Sequence, residues 1–533
     1  MVVPELRPWR AARPHVVRAA TAVRPRLARA AAAAGPRIAR LTRAAKPQLA
    51  RLARPKTVQT WQYTAGAVTA GLALAAGVVT AAGPWDASGQ RTAERDRAAV
   101  LGHTGGADHG RTSGTTEAAA GAPQPAPSAG AVLTTLGGTT NAVKSAPNTK
   151  PLGAVLDPLL GSGSLGSRHA AAVVDVGTGR RLYGSSADEA LTPASTTKIA
   201  TAVAALSAMG ADHRLTTRTA LEPDGKLVLV GGGDPTLTAR RTADGWASLR
   251  TLADRTAAAL RKRGVKQVTL SYDTTLYEGP ELHPIGVNPN IAAVTALMAD
   301  EARTDGSTRG PAPRVSDPAA EAARTFASLL GDHGIKTTSP EPAKATKRAK
   351  TLAAVSSPPL STVVERMLTN SDNDIAEALA RHTAVATGER ADFTGAGKAI
   401  DAQLKKLGLP LSATTFKDGS GLDRADRLTA NLLTSLLAKA ADPGHPDLRP
   451  ALTGLPVAGF TGTLTSRYTH GAAGLVRAKT GTLTGVNTLA GTVATRDGHL
   501  LAFAFLASDT TSPTAAQSAL DMAATALAAC GCR

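Results

Sequence analysis

The sequence predicts an α+β domain (an α/β sandwich) in which an antiparallel sheet is flanked by helices, preceded by an N-terminal membrane helix. Three observations carry this. Residues 169–184 read as a β-hairpin, residues 475–508 contain three further β-rich runs, and helical patterns at 195–210, 361–369 and 374–387 lie between them. Strands distant in sequence then share one sheet, with helices on its faces.

The chain begins with a basic tail. Residues 1–60 carry fourteen Arg or Lys against one acid, Glu5, so +13 of the net +19 lies there and only +6 in the rest. Charge confined to a tail, rather than spread over a folded face, suits contact with anionic lipid, and no nucleic-acid partner is expected.

Ala65 to Gly83 is an uncharged run of 19 residues, about 28 Å long as a helix and close to the hydrocarbon thickness of a bilayer. Residues 61–85 therefore read as a transmembrane signal anchor, with residues 1–60 cytoplasmic by the positive-inside rule and everything after Gly83 outside. Small residues crowd its end, so it reads equally as the core of a signal peptide cleaved near Ala82, which would leave the protein secreted. Residues 86–153, rich in Gly, Ala, Ser, Thr and Pro, form a flexible linker.

The folded domain is expected over 154–533. AAAVVDV, the turn Gly177-Thr178-Gly179 and RRLYG give the hairpin. STTKIATAVAALSAMG has Ile199, Val203 and Leu206 at helical spacing and ends at Gly210. Residues 215–354 mix strand and helix signals and read as an inserted, strand-rich accessory domain. STVVERMLT and DIAEALARHTAVAT are two helices around the polar joint Asn370–Asn373, and LVRAKTGTL, NTLAGTVAT and HLLAFAFLAS are three strands before a last helix at 514–529. Cys530 and Cys532 are spaced too closely for an ordinary disulfide and offer neither a framework nor a metal site.

The chemistry lies in three short motifs. Ser195 and Lys198, three apart at a helix start, share one face, so a lysine held neutral can take the serine proton while the helix N-terminus receives a developing oxyanion. Ser-x-x-Lys alone is common. Here it is followed, each once and in order, by Ser371-Asp-Asn373 in a loop between helices and Lys479-Thr-Gly481 at the end of a strand. Ser371 can relay a proton between Lys198 and a leaving amine, Asn373 can hold a substrate amide, and Lys479 can bind a carboxylate while lowering the pKa of Lys198. Gly481 lets a substrate backbone approach the strand.

These motifs, with GGGDPTL (231–237), SYDTTLYEGPELHP (271–284), VTALMADEAR (294–303), KDGSGLDRADRLT (417–429) and the long gap between Lys198 and Ser371, resemble the class C low-molecular-mass penicillin-binding proteins, over roughly residues 150–530. These are D-alanyl-D-alanine carboxypeptidases that often double as endopeptidases. The resemblance implies a β-lactamase/transpeptidase-like fold and an acyl-enzyme on Ser195, with peptidoglycan stem peptides as substrates and β-lactams as inhibitors. It makes Ser195, Lys198 and Ser371 catalytic, and Asn373, Lys479, Thr480, Gly481 and Thr482 substrate-binding, Thr482 through a second oxyanion N–H. No cofactor or metal is implied.

Other readings are weaker. A class A β-lactamase needs a Glu-x-x-Leu-Asn element after Ser-Asp-Asn, and none precedes Lys479. A catalytically silent wall-binding protein would not need all three motifs intact. Ser420, in Gly419-Ser420-Gly421, belongs to a tight turn rather than to catalysis, Gly231–Gly233 form a structural turn, and single histidines such as His382 are surface or packing residues.

Overall fold

The computed structural model describes residues 151–468 and 471–530; the basic tail, the segment 61–85 and the linker up to 150 lie outside the described residues. Among the described residues no helix is long and apolar enough to cross a membrane.

In chain order the strands are β1 (Arg168–Asp175), β2 (Arg181–Ser185), β3 (Thr216–Leu221), β4 (Leu227–Val230), β5 (Gln267–Val268), β6 (Leu270–Asp273), β7 (Lys336–Thr337), β8 (Glu341–Pro342), β9 (Lys350–Ser356), β10 (Val476–Leu483), β11 (Val486–Ala494) and β12 (Leu500–Ser508). The helices are α1 (Leu152–Leu160), α2 (Thr197–Met209), α3 (Leu249–Arg261), α4 (Pro318–Asp332), α5 (Leu360–Asn370), α6 (Asn373–Thr387), α7 (Phe393–Lys406), α8 (Ala430–Ala441), the short α9 (Pro450–Thr453) and α10 (Pro513–Ala529).

The first sheet runs β10-β11-β12-β1-β2, antiparallel throughout. Its two faces differ in side-chain size, as the period of two requires. On β12, Leu501, Phe503 and Phe505 pack with α1 and α10, while Ala502, Ala504 and Leu506 pack toward α2 and the helices around it. Small residues on that second face let α2 lie close. Ten consecutive residues of α2, Thr197 to Leu206, are buried, as expected of a helix apolar all round that runs through a core.

Residues 216–356 supply a second sheet, β8-β6-β4-β3-β9, under α3 and α4. It is mixed: β3 is antiparallel to β4 and β9, but β4, β6 and β8 are parallel. The parallel pairing of β4 with β6 follows from the helix α3 between them, because a parallel step needs a crossover connection.

Three local expectations are corrected. Lys479-Thr-Gly481 lies within β10, with Lys479 opposite Ala490 and Gly481 opposite Thr488, rather than at a strand end. The joint between α5 and α6 shrinks to Ser371 and Asp372, because Asn373 already opens α6 under the cap of the Asp372 carboxylate. Cys530 is disulfide-bonded, so close spacing did not exclude a disulfide; Cys532 lies outside the described residues.

Candidate active site

Ser195 occupies a single 3-10 turn, Ala194–Thr196, immediately before α2. Ala194 has φ +48°, a left-handed conformation that costs a non-glycine residue on the order of 1 kcal/mol or more and is held only where the surroundings enforce it. Two glycines enforce it. A Cβ on Gly421 would lie 1.9 Å from the Ala194 carbonyl oxygen, and one on Gly481 would lie 2.1 Å from Thr488 Oγ1 and 2.8 Å from the Pro193 carbonyl. Thr488 Oγ1 also donates to that Pro193 carbonyl at 2.8 Å. Gly481 is thus required by the protein's own close packing of β10 on the serine turn, which is a different reason from the substrate approach expected from sequence.

Lys198 is completely buried. Its Nζ donates to Ser195 Oγ at 3.1 Å, to Asn373 Oδ1 at 2.7 Å and to the Ser420 main-chain carbonyl at 2.7 Å. Burial lowers its pKa to about 8, against the opposing pull of Asp418, Glu377, Asp372 and Asp374. Desolvation is therefore the leading cause. A base poised near neutral pH beside the serine hydroxyl is what acyl transfer requires.

Ser371 ends α5 in a left-handed conformation, φ +57°, which turns its side chain toward β10. Lys479 Nζ donates to Ser371 Oγ at 2.8 Å and to the Thr480 carbonyl at 2.7 Å. Lys479 is also buried, and desolvation, then Lys198, then Arg467 hold its pKa well below the usual lysine range. Asn373 accepts from Lys198 and donates to the Asn290 carbonyl at 2.9 Å, leaving one N–H and one lone pair for a ligand. Thr480 Oγ1 donates to Thr463 at 3.0 Å, and Thr482 pairs with Asn487 across β10 and β11. The motifs thus converge, but Ser371 is bonded to Lys479, and it is Asn373 that meets Lys198.

A layer that sequence reasoning missed lies behind Lys198. Glu377, on α6, accepts from the backbone N–H groups of Gly419 and Ser420 at 3.1 and 2.8 Å. Asp418 accepts from Gly421 and Asp423 N–H at 2.6 and 2.7 Å and meets His283 Nε2 at 3.0 Å. Together they fix the turn that aims the Ser420 carbonyl at Lys198. The Ser420 hydroxyl faces away, onto Asp418 at 3.2 Å. Burial pushes Glu377 up to about 7. His283 is pulled down by burial, but the hydrogen bond to Asp418 and the charges of Glu377 and Asp418 outweigh this and raise it.

Among the described residues two buried groups, His283/Glu377/Asp418 and Glu301/Asp372/Asp374, bring possible metal-ligand atoms within 4.8 Å of one another. The carboxylates of the first take backbone N–H groups; in the second, Glu301 and Asp374 take guanidinium groups and Asp372 takes the Ile375 N–H, so both are filled as hydrogen-bond networks. His382 is buried against the Gly233 carbonyl at 3.0 Å, a packing residue rather than a surface one.

The sequence profile of the D-Ala-D-Ala carboxypeptidase 3 (S13) family matches residues 152–305 and 290–527. The chain is 37% identical over 384 residues to carboxypeptidase DacB of Mycolicibacterium smegmatis, covering 68% of this chain and 80% of that protein. It is 28% identical over 418 residues to the D-alanyl-D-alanine carboxypeptidase of an Actinomadura species, covering 62% and 75%. The crystal structure of penicillin binding protein 4 (dacB) from Haemophilus influenzae superposes with a TM-score of 0.58 at 21% identity over 69% of this chain and 97% of that one, a likeness of fold. With its three motifs joined by hydrogen bonds at one site and its sequence matched from 152 to 527, the chain belongs to the D-Ala-D-Ala carboxypeptidase 3 (S13) family.

Proposed function

We propose that the chain works as a serine D,D-peptidase on peptidoglycan stem peptides, binds β-lactams at the same serine, and forms its acyl-enzyme on Ser195. The observation that carries this is the buried Lys198 ammonium nitrogen 3.1 Å from Ser195 Oγ, with its pKa lowered to about 8. Neutral Lys198 takes the hydroxyl proton as Ser195 Oγ attacks the carbonyl of the penultimate D-Ala. The oxyanion is received by the N–H groups of Ser195 and Thr482. Ser371 gives a proton to the leaving amine and is resupplied from Lys479, its partner at 2.8 Å. The terminal carboxylate of the substrate lies toward Lys479, Thr480 and Gly481, and its amide against Asn373. D-Ala departs; water then attacks the ester carbonyl, passing its proton through Ser371 to Lys479, and Lys198 returns its proton to Ser195 Oγ as the acyl–oxygen bond breaks.

The membrane reading rests on the uncharged run at 65–83 behind a +13 tail: the chain is a single-pass cell-membrane protein with the catalytic domain outside, or secreted if residues 61–85 are removed. The second sheet at 216–356 supports taking 215–354 as an accessory domain inside a catalytic domain of 154–533.

Incubating the full-length protein with a peptide ending in D-Ala-D-Ala and assaying free D-Ala tests the activity. The wild type releases D-Ala and Ser195→Ala does not; a folded wild type that releases none contradicts the reading. External protease on intact cells should remove residues after Gly83 and spare the tail, and the reverse pattern overturns the orientation.

A further inference from the structure

Asp300, Glu301 and Ala302 are consecutive non-glycine residues with φ of +52°, +52° and +56°. They close one left-handed turn through Ala302 N–H to the Ala299 carbonyl (2.9 Å) and Arg303 N–H to the Asp300 carbonyl (3.2 Å). L-residues avoid this conformation. Three in succession persist only because both ends are tied, and backbone strain of this kind clusters where a side chain must be held in one place.

On the Asp300 side, the carboxylate accepts from Thr238 Oγ1 at 2.5 Å, from Ala239 N–H at 3.0 Å and from Arg240 Nε at 3.0 Å. The Glu301 side chain takes Arg303 Nε at 2.7 Å and Arg366, on α5, at 2.8 Å. Arg366 is stacked over the Trp246 ring, 5.0 Å from its centroid. The Glu301 carbonyl takes Arg314, which also pairs with Asp374 at 2.9 Å. A cavity of about 230 Å³ opens beside Glu301, lined by Trp246, Arg303 and Arg366 among others. Its three guanidiniums are already engaged by Asp300, Glu301 and main-chain carbonyls.

The strained turn carries the Glu301 carboxyl to Asp372, with one carboxyl oxygen from each of Glu301, Asp372 and Asp374 lying within 4.8 Å of the other two. Asp372 is the residue between Ser371 and Asn373. With open volume on one side of Glu301, packing alone does not press it there; the turn and the two guanidiniums do. We propose that Glu301 is a positioning residue for the Ser371–Asn373 loop, holding Asp372 so that Ser371 stays on Lys479 and Asn373 on Lys198. Burial first, and Asp372 second, raise its pKa to about 7, so near neutral pH it can supply the proton that two facing carboxyls need to share. Arg303 and Arg366 pair with its carboxylate, Arg314 takes its carbonyl, and Asp374 lies beside it.

This inference rests on the acyl-enzyme reading, and one experiment separates the two. Acylation by a fluorescent penicillin is followed in full-length wild type, Glu301→Ala, Glu301→Gln and Leu330→Ala. Leu330→Ala opens a void in the core of the second sheet and lowers stability without touching the loop. The expected result is a Glu301→Ala acylation rate constant at least tenfold below wild type, with recovery of most of that loss in Glu301→Gln, which keeps a donor toward Asp372. Leu330→Ala should acylate at the wild-type rate at temperatures where it is folded. An unlabelled wild type would overturn the acyl-enzyme reading. A labelled wild type with Glu301→Ala at the same rate, or a Leu330→Ala variant slowed as much as Glu301→Ala, overturns the positioning role.

Discussion

Lys198 Nζ donates to the main-chain carbonyl of Ser420 at 2.7 Å, while the hydroxyl of the same serine turns back onto Asp418. The base is thus aimed by a backbone atom, and that atom is set by Asp418 and Glu377 underneath. Replacing Asp418 by Asn removes the nearer of the two carboxylates beside His283 and should cost about 3 kcal/mol of stability in urea unfolding, the scale for breaking a buried pair. Asp418 raises the Lys198 pKa, so its removal should move the pH midpoint of acylation down. An unchanged midpoint would show that Asp418 supports only the fold.

The wild-type profile follows from the same lysine. Only neutral Lys198 accepts the serine proton, and its pKa is lowered to about 8. The acylation rate constant should therefore rise about tenfold per pH unit well below 8 and level off above it. Lys198→Ala should lose about 10²- to 10⁴-fold, the usual contribution of a positioned general base. A flat profile between pH 6 and 9 would count against Lys198 as the base.

Gly481 offers a steric test. Alanine there would drive its methyl group to 2.1 Å from Thr488 Oγ1 and 2.8 Å from the Pro193 carbonyl, so β10 or the Ser195 turn must move. Gly481→Ala should lower acylation at least tenfold. In a Thr488→Ala background the same substitution should cost less, with a coupling of about 1 kcal/mol or more between these neighbours. Strict additivity would mean the clash is relieved elsewhere.

Lys479 yields a prediction about protons. Burial holds it well below the ordinary lysine range in the empty site, yet a substrate carboxylate favours its charged form. Binding of a carboxylate-bearing β-lactam to Ser195→Ala should take up protons, seen as a binding enthalpy that varies with the ionisation enthalpy of the buffer. Lys479→Met should abolish that dependence; equal enthalpies in all buffers for the Ser195→Ala protein would show Lys479 already charged.

The motif residues were legible because their chemistry depends on side-chain type and on spacing along one helix or strand. Ser195 and Lys198 meet as the three-residue step on a helix requires, and the β-rich composition of HLLAFAFLAS marked the strand seen as β12. His283, Glu377 and Asp418 were not legible: they lie more than 40 residues from one another in pairs such as Glu377 and Asp418, and act through main-chain atoms of a Gly-Ser-Gly turn. Asn290 contributes only a carbonyl, which no residue type advertises. The parallel part of the second sheet was hidden because β6 and β8 are two to four residues long, too short for a period to register. Glu301 lay within a stretch singled out by resemblance, but its left-handed turn has no glycine to signal it.

The most direct measurement is the intact mass of the full-length protein after incubation with benzylpenicillin, followed by mapping of the modified peptide. One added penicillin on the peptide that contains Ser195, absent from Ser195→Ala, is the predicted result. A folded wild type that gains no mass, or a Ser195→Ala protein modified to the same extent, would contradict the assignment of Ser195 as the acylated nucleophile.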